Sequence, residues 1–417
     1  MKMNKLRREV VKACGLLPLA ATPFASIAKT FMENGVQYSD GEGVTFAAGP
    51  KPILSSFPQK KDMVIVHTRP PHLETPFEVF DDGLLTPNDR FFVRYHLADF
   101  PTFIDTDTYT IKISGLVDKE INMSLAELKS IEGQQEIVAV QQCTGNSRGY
   151  SSPRVFGAQL GNGAMGNAKF KGVPLKNVLA KAGIKAEATS VVIDGIDKPV
   201  RSTTPDFLKS LPLQHVDTGE PMLVWEMNGE PLPFLNGFPV KLIVPGWFAT
   251  YWVKHVNHLE LIEGEFDTFD SFFMSEGYRL PDNDSKSETP ENRATKTKPV
   301  TTFPIRSFIT SVLNGDSVEA GKEITLKGIA FDSGSGIKKV EVSFDGGRKW
   351  NSTTLGQDLG RFSYRGWSLK HTFNEKGRTL LMVRAVANSG EKQPTKATWN
   401  HGGYNRNVIE RTDIEVV

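Results

Sequence analysis

Cysteine is almost missing from this 417-residue chain: it has two, Cys14 and Cys143. No CxxCH run is present to attach haem covalently, and no HExxH spacing or cysteine cluster is present to hold zinc. A surplus of one charge is missing too. Forty-nine Lys and Arg oppose 48 Asp and Glu, leaving a formal charge of +1. Nucleic acid is therefore not expected as the main partner, since phosphate binding needs a clustered basic excess. No apolar run approaches the roughly 20 residues that span a bilayer. What remains, 39% hydrophobic and 23% charged, is the composition of an ordinary soluble globular protein, long enough for two or three domains.

The start of the chain, "KLRREVVKACGLLPLAATPFASIA", has a basic opening, an apolar middle and a small-residue end at Ala28. Arg7 and Arg8 predict a twin-arginine export signal over 1–28 and a periplasmic destination; a general secretory signal holding two arginines is the other reading. Removal of that segment takes Cys14 with it. Cys143 is then the only thiol, so no intrachain disulfide can form. An unpaired thiol in an oxidising compartment is either buried and inert or held by a ligand.

Residues 29–85 carry many breakers ("AAGPKPILSSFPQKK", "TRPPHLETP") and predict an irregular arm that wraps the next domain. Across 86–290, alternating strands such as "TYTIKISGLV" mix with short helices. "SLAELKSI" offers Ser124 and Glu127 as a capping box, and "PLKNVLAKAGI" starts at Pro174 and ends at Gly183. With no regular βαβ rhythm, the expected class is α+β. The polar, proline-rich stretch from Arg279 to Thr302 reads as a linker or exposed loop. Residues 300–417 show short alternating strands between Gly, Asn and Asp turns, which predicts an immunoglobulin-like β-sandwich.

Three stretches could carry chemistry. "EIVAVQQC" delivers Cys143 at the end of a buried strand, and "TGNSRG" follows with a flexible loop and Arg148, whose charge favours thiolate over thiol. That suits a metal ligand or a nucleophile. A nucleophile would want a histidine base, which no local signature marks. One thiolate alone cannot hold a metal, so other ligands would have to come from a cofactor. "FFVRYH" sets Arg94 and His96 two apart, on one side of an extended segment. An arginine among Phe91, Phe92 and Val93 needs either a carboxylate partner or a bound anion. The glycine-rich "QLGNGAMGNAKFKGVPL" could cradle a phosphate or heterocycle, a weak signal alone.

Together "FFVRYH", "CTGNSR", "GNGAMGNAKFKGVPL", "WEMNGEPLPFLNGFPVKLIVPG" and "VEVSFDGGRKW" resemble the sulfite oxidase family of molybdenum enzymes, in the family's order from about residue 60 onward. The resemblance implies a molybdopterin-binding domain followed by a dimerisation sandwich, and a molybdenum–molybdopterin cofactor with Cys143 as the protein's sulfur ligand. It implies that Arg94 and Arg148 line an anion pocket, with His96 near the pterin and metal. It also implies that Gly163, Ala164, Met165, Gly166 and Asn167 follow the pterin, and that Lys254 meets the cofactor phosphate. Trp225 stands where the family's "YEMNG" tyrosine points at substrate, and an indole cannot titrate or accept a hydrogen bond.

The activity so implied is oxidation of sulfite to sulfate, with electrons leaving to a separate c-type cytochrome, no haem in this chain, and a homodimer through the C-terminal domain. The alternatives are a sulfane dehydrogenase subunit, kept open by Trp225, and a secreted binding protein without metal.

Overall fold

The computed structural model describes residues 57–282 and 288–417, together with a short antiparallel strand pair, Val36–Gln37 and Gly43–Val44. The chain divides into two units, Met1–Phe57 and Pro58–Val417. The export signal with Arg7 and Arg8, and most of the arm before Phe57, lie outside the described residues.

From Val64 the expected irregular arm is partly ordered. Val64–Thr68, Pro71–Glu74 and Val93–Arg94 form a three-stranded sheet, with His72 opposite Arg94. A mixed five-stranded sheet follows, in the spatial order Lys209–Pro212, Ser190–Gly195, Val256–Ile262, Thr110–Gly115, Ile121–Ser124. Its one parallel pair joins Val256–Ile262 to Thr110–Gly115. The alternation in "TIKISG" does what it predicts: Ile111 and Ile113 are fully buried while Thr110 and Lys112 face outward.

A second sheet runs Glu230–Pro231, Met222–Met227, Met165–Pro174, Gln135–Gln142, with Lys241–Ile243 also pairing the Met222–Met227 strand. Gly172 is required there, because a β-carbon would come within 2.0 Å of the Leu223 carbonyl oxygen on the neighbouring strand. Both sheets pack their apolar faces into one core.

Helix is scarcer than an α+β protein would have. The capping box at Ser124 and Glu127 forms as expected but starts only six residues, Leu125–Ser130. Leu175–Leu179, Leu213–Val216 and Phe272–Ser275 are shorter still. The described chain is mostly β-sheet, and the α+β expectation gives the helices too much weight: local capping signals mark helix starts without setting helix length.

Beyond residue 300 a β-sandwich appears. One sheet orders Arg306–Ile309, Glu323–Phe331, Arg365–Thr372 and Thr354–Leu355. The other orders Ser317–Val318, Glu410–Val416, Gly377–Ala387, Ile337–Ser343 and Asn351–Ser352. Its core holds Trp367, Leu326 and Val340. The stretch read as a linker contains structure of its own, since Arg279–Pro281 pairs antiparallel with Thr297–Pro299.

Candidate active site

The strand Gln135–Gln142 ends against Met165–Pro174, with Gln142 opposite Met165. It delivers Cys143 to the wall of an enclosed pocket, where the free thiol is 8% exposed. The Cys143 N–H donates to the Ala164 carbonyl at 2.9 Å, and its own carbonyl accepts from the Asn146 N–H at 2.9 Å. The loop that follows is therefore folded tightly back on the strand end. Ser147 adopts a left-handed conformation (φ 71°), which turns the chain into Arg148.

Arg94, His96 and Lys254 line the same pocket. Arg94 donates to the Tyr95 carbonyl and has no carboxylate partner among the described residues. The His96 ring stacks on Phe207 at 3.8 Å, and its Nε2 meets the Tyr278 hydroxyl. Burial, reinforced by Arg94, Lys209 and Lys254, pushes the imidazole well below its usual range and keeps it neutral at pH 7. Lys254 donates to the Arg94 carbonyl at 2.9 Å and lies 3.0 Å from the Tyr95 ring centroid.

Two further lysines sit here, and of the two only Lys60 feels an acid, Asp89. Lys241, on the wall, donates to the Gln141 side chain at 2.6 Å, and burial lowers it to about 7. Lys60 lies behind it, bonded to Asn236 at 2.6 Å and likewise lowered by burial to about 7. Asp197 is the only carboxylate on the wall; burial raises it to about 6 against the pull of Lys254. Thr144 and Thr250, also on the wall, have buried hydroxyls with no partner in the protein.

The remaining expected residues take other places. Arg148 is buried beside the pocket rather than on its wall. Its Nε donates to the Gly402 carbonyl at 2.8 Å, and its guanidinium lies 5.2 Å from the Tyr404 ring. Gly163–Asn167 do not line the Cys143 pocket. They open the strand that pairs with the Cys143 strand; the Gly163 carbonyl accepts from Thr75 and the Asn167 side chain donates to Leu84 and Ser363. The letters GxGxxG at 161–166 thus lead into a strand, without the helix N-terminus a dinucleotide site needs.

Trp225 also lies off the pocket wall, in the main apolar core at 5% exposure. The aromatic hydroxyl that faces the pocket belongs to Tyr278, the residue just before the stretch read as a linker. The only signals for Lys241 and Lys209 were lysines inside the apolar runs "VKLIVPG" and "FLKSLPL".

The residues before Cys143 and Arg148 are held from the sandwich. Arg306, fully buried, pairs with Glu410 at 2.6 Å and donates to Ser147 Oγ at 3.0 Å and to the Gln142 side chain at 3.4 Å.

Comparisons with known proteins decide what this arrangement belongs to. Residues 97–270 match the model of the oxidoreductase molybdopterin binding domain, and residues 297–417 that of the Mo-co oxidoreductase dimerisation domain. The chain belongs to the sulfite oxidase family. It is 31% identical to the mitochondrial sulfite oxidase of Rattus norvegicus over 364 residues, covering 84% of this chain and 65% of that protein. The sulfite oxidase of Arabidopsis thaliana is 26% identical over 380 residues, covering 85% and 94% respectively. The chain thus spans about two thirds of the mitochondrial relatives' length. The crystal structure of the sulfane dehydrogenase SoxCD from Paracoccus pantotrophus shares the fold, with a TM-score of 0.70 at 23% identity over 95% of this chain and all of that one.

The pocket fits the molybdopterin cofactor of a sulfite oxidase family member. Among the described residues no three His, Cys, Asp or Glu side chains come together to hold a metal, so a metal at Cys143 would need ligands from a cofactor. Buried cations outnumber the single acid, and burying an unpaired charge is costly unless an anion joins it. The orphaned hydroxyls of Thr144 and Thr250 want partners as well. A phosphorylated dithiolene that brings a metal with it would answer all three demands.

Proposed function

We propose that this protein oxidises sulfite to sulfate. The reading rests on one observation: Cys143 shares a pocket wall with Arg94, His96, Lys241 and Lys254 and with only one carboxylate. When bound, the molybdenum cofactor supplies a two-electron oxidation that transfers oxygen from water to sulfur. The balance is sulfite plus water giving sulfate, two protons and two electrons.

The chain's own residues do the rest. Cys143 is the protein's sulfur ligand, and Lys241 and Lys254 neutralise the cofactor's charge. Arg94 draws in the substrate dianion and orients it by charge-assisted hydrogen bonds. The Tyr278 hydroxyl and the neutral His96 ring form a pair that can move a proton without placing a net charge in the pocket. The sulfane alternative loses the support it drew from Trp225, since that indole is packed in the core and Tyr278 provides a pocket hydroxyl.

The destination is the periplasm by the twin-arginine route, on Arg7 and Arg8. Electrons leave one at a time to a c-type cytochrome, and the C-terminal sandwich joins two copies into a homodimer. The test is purified exported protein, assayed for molybdenum and for sulfite turnover with ferricyanide. Wild type should hold stoichiometric molybdenum and turn over sulfite, and Cys143→Ser should lose both. Full metal occupancy in Cys143→Ser would remove the thiolate from the metal, and a metal-replete wild type inert to sulfite would sink the substrate assignment.

A further inference from the structure

The segment Trp399–Tyr404 belongs to the sandwich half of the chain, yet it reaches the catalytic loop. The Trp399 indole donates to the Pro153 carbonyl at 2.7 Å, and the Gly402 carbonyl takes the Arg148 Nε–H at 2.8 Å. Asn400 clamps Tyr404 from both sides: its side chain accepts from the Tyr404 N–H at 2.9 Å and donates to the Tyr404 carbonyl at 2.7 Å. Gly402 makes this possible, since a β-carbon there would fall 2.1 Å from the Tyr404 ring.

The ring so fixed touches two groups of the site. It stacks on Tyr278 with centroids 5.4 Å apart and planes 20° apart, and it lies 5.2 Å from the Arg148 guanidinium. The Tyr278 backbone also draws the Tyr404 hydroxyl toward ionisation, against the burial that raises it. The Tyr278 backbone is left-handed (φ 59°), an uncommon state for a tyrosine that its neighbours must hold. Arg148 has no carboxylate partner among the described residues, so its position rests on carbonyls and on this ring.

We propose that Tyr404, supplied by the sandwich, is a positioning residue that holds Arg148 and Tyr278 at the Cys143 pocket and thereby sets the affinity for an anionic sulfur substrate. The inference rests on the oxyanion reading above. It makes the second domain a contributor to specificity and not only to association.

The test uses metal-loaded holoenzyme as wild type, Tyr404→Leu and Tyr404→Phe. Leucine keeps apolar bulk and removes the aromatic face and the hydroxyl; phenylalanine restores the face alone. Sulfate binding is measured by calorimetry beside sulfite kinetics. Tyr404→Leu should weaken sulfate binding and raise the sulfite KM about tenfold, the loss of a cation–π contact and a buried acceptor. Tyr404→Phe should show about a threefold loss. Molybdenum content and the KM for ferricyanide should stay within about twofold in both.

Unchanged sulfate affinity in Tyr404→Leu overturns the proposal, as does a loss that follows metal content. If the leucine protein does not fold, Tyr404→Phe decides, because wild-type sulfate affinity there removes the hydroxyl's role and with it the hold on Tyr278. A wild type that binds sulfate but does not oxidise sulfite sinks the substrate reading alone, and Tyr404 is then judged on sulfate. A wild type that binds no sulfate overturns both.

Discussion

Tyr278 lines the pocket wall beside Cys143. Its hydroxyl meets the neutral ring of His96, and His96 is pinned between Phe207 and Phe273. Removing the hydroxyl leaves the ring stack in place and strips His96 of its partner. Tyr278→Phe should therefore fold normally and lose about ten- to a hundredfold in kcat/KM for sulfite, the range for leaving a buried hydrogen-bond partner unsatisfied. Stopped-flow reduction by sulfite checks it, and wild-type kinetics in that variant would remove the hydroxyl from the reaction. Sequence motifs reach the residues that share a short run, Arg94 with His96 and Cys143 with its loop. They miss Tyr278, because it belongs to no motif and nothing in "SFFMSEGY" marks its hydroxyl as facing a pocket. Trp225 shows the same limit in reverse: its motif position is conspicuous, and its side chain is core.

Between elements, the decisive contact joins the sandwich strand Arg306–Ile309 to the loop after Gln135–Gln142. Arg306 is buried with Glu410, and it holds Ser147 at the left-handed turn that sets the direction of Arg148. Arg306→Met would leave Glu410 without its partner. Because Glu410 keeps 15% exposure, losing its partner costs about 1–3 kcal/mol. The expected outcome is a clear fall in the midpoint of chemical denaturation together with a raised sulfite KM. An unchanged midpoint would show that the pair carries no net stability. The strands themselves were readable, since alternation in "TIKISG" and the run "EIVAVQQC" each match their buried faces. Helix content was not, because a capping box marks where a helix begins while sheet packing ends it after six residues.

At the scale of the molecule, the feature with the widest effect is a store of positive charge kept away from water. Burial lowers Lys60 and Lys241 to about 7 each, against 10.5 when unfolded. The unfolded chain then binds more protons than the folded one between those values, so folding stability rises with pH across that window and is lost as pH falls through about 7. Protein made without cofactor should thus melt at a higher temperature near pH 9 than near pH 6. The loaded protein should lose much of that slope, since an anion beside the lysines restores their protons. Thermal scans of both forms check this, and parallel slopes would separate the lysines from the cofactor. The strands of the sandwich after residue 300 were legible from turn spacing. The contacts of the sandwich with the loop after Cys143 were not, because Arg306 and Tyr404 meet that loop only across more than a hundred residues of chain.

That long reach bears on how the molecule is made. The bracing of Arg148 and Tyr278 awaits residues 399–410, so a nascent chain that has finished its first domain still lacks the groups that aim its substrate pocket. Competence is therefore acquired late and at once, when the ribosome has passed the final strands and the sandwich has docked.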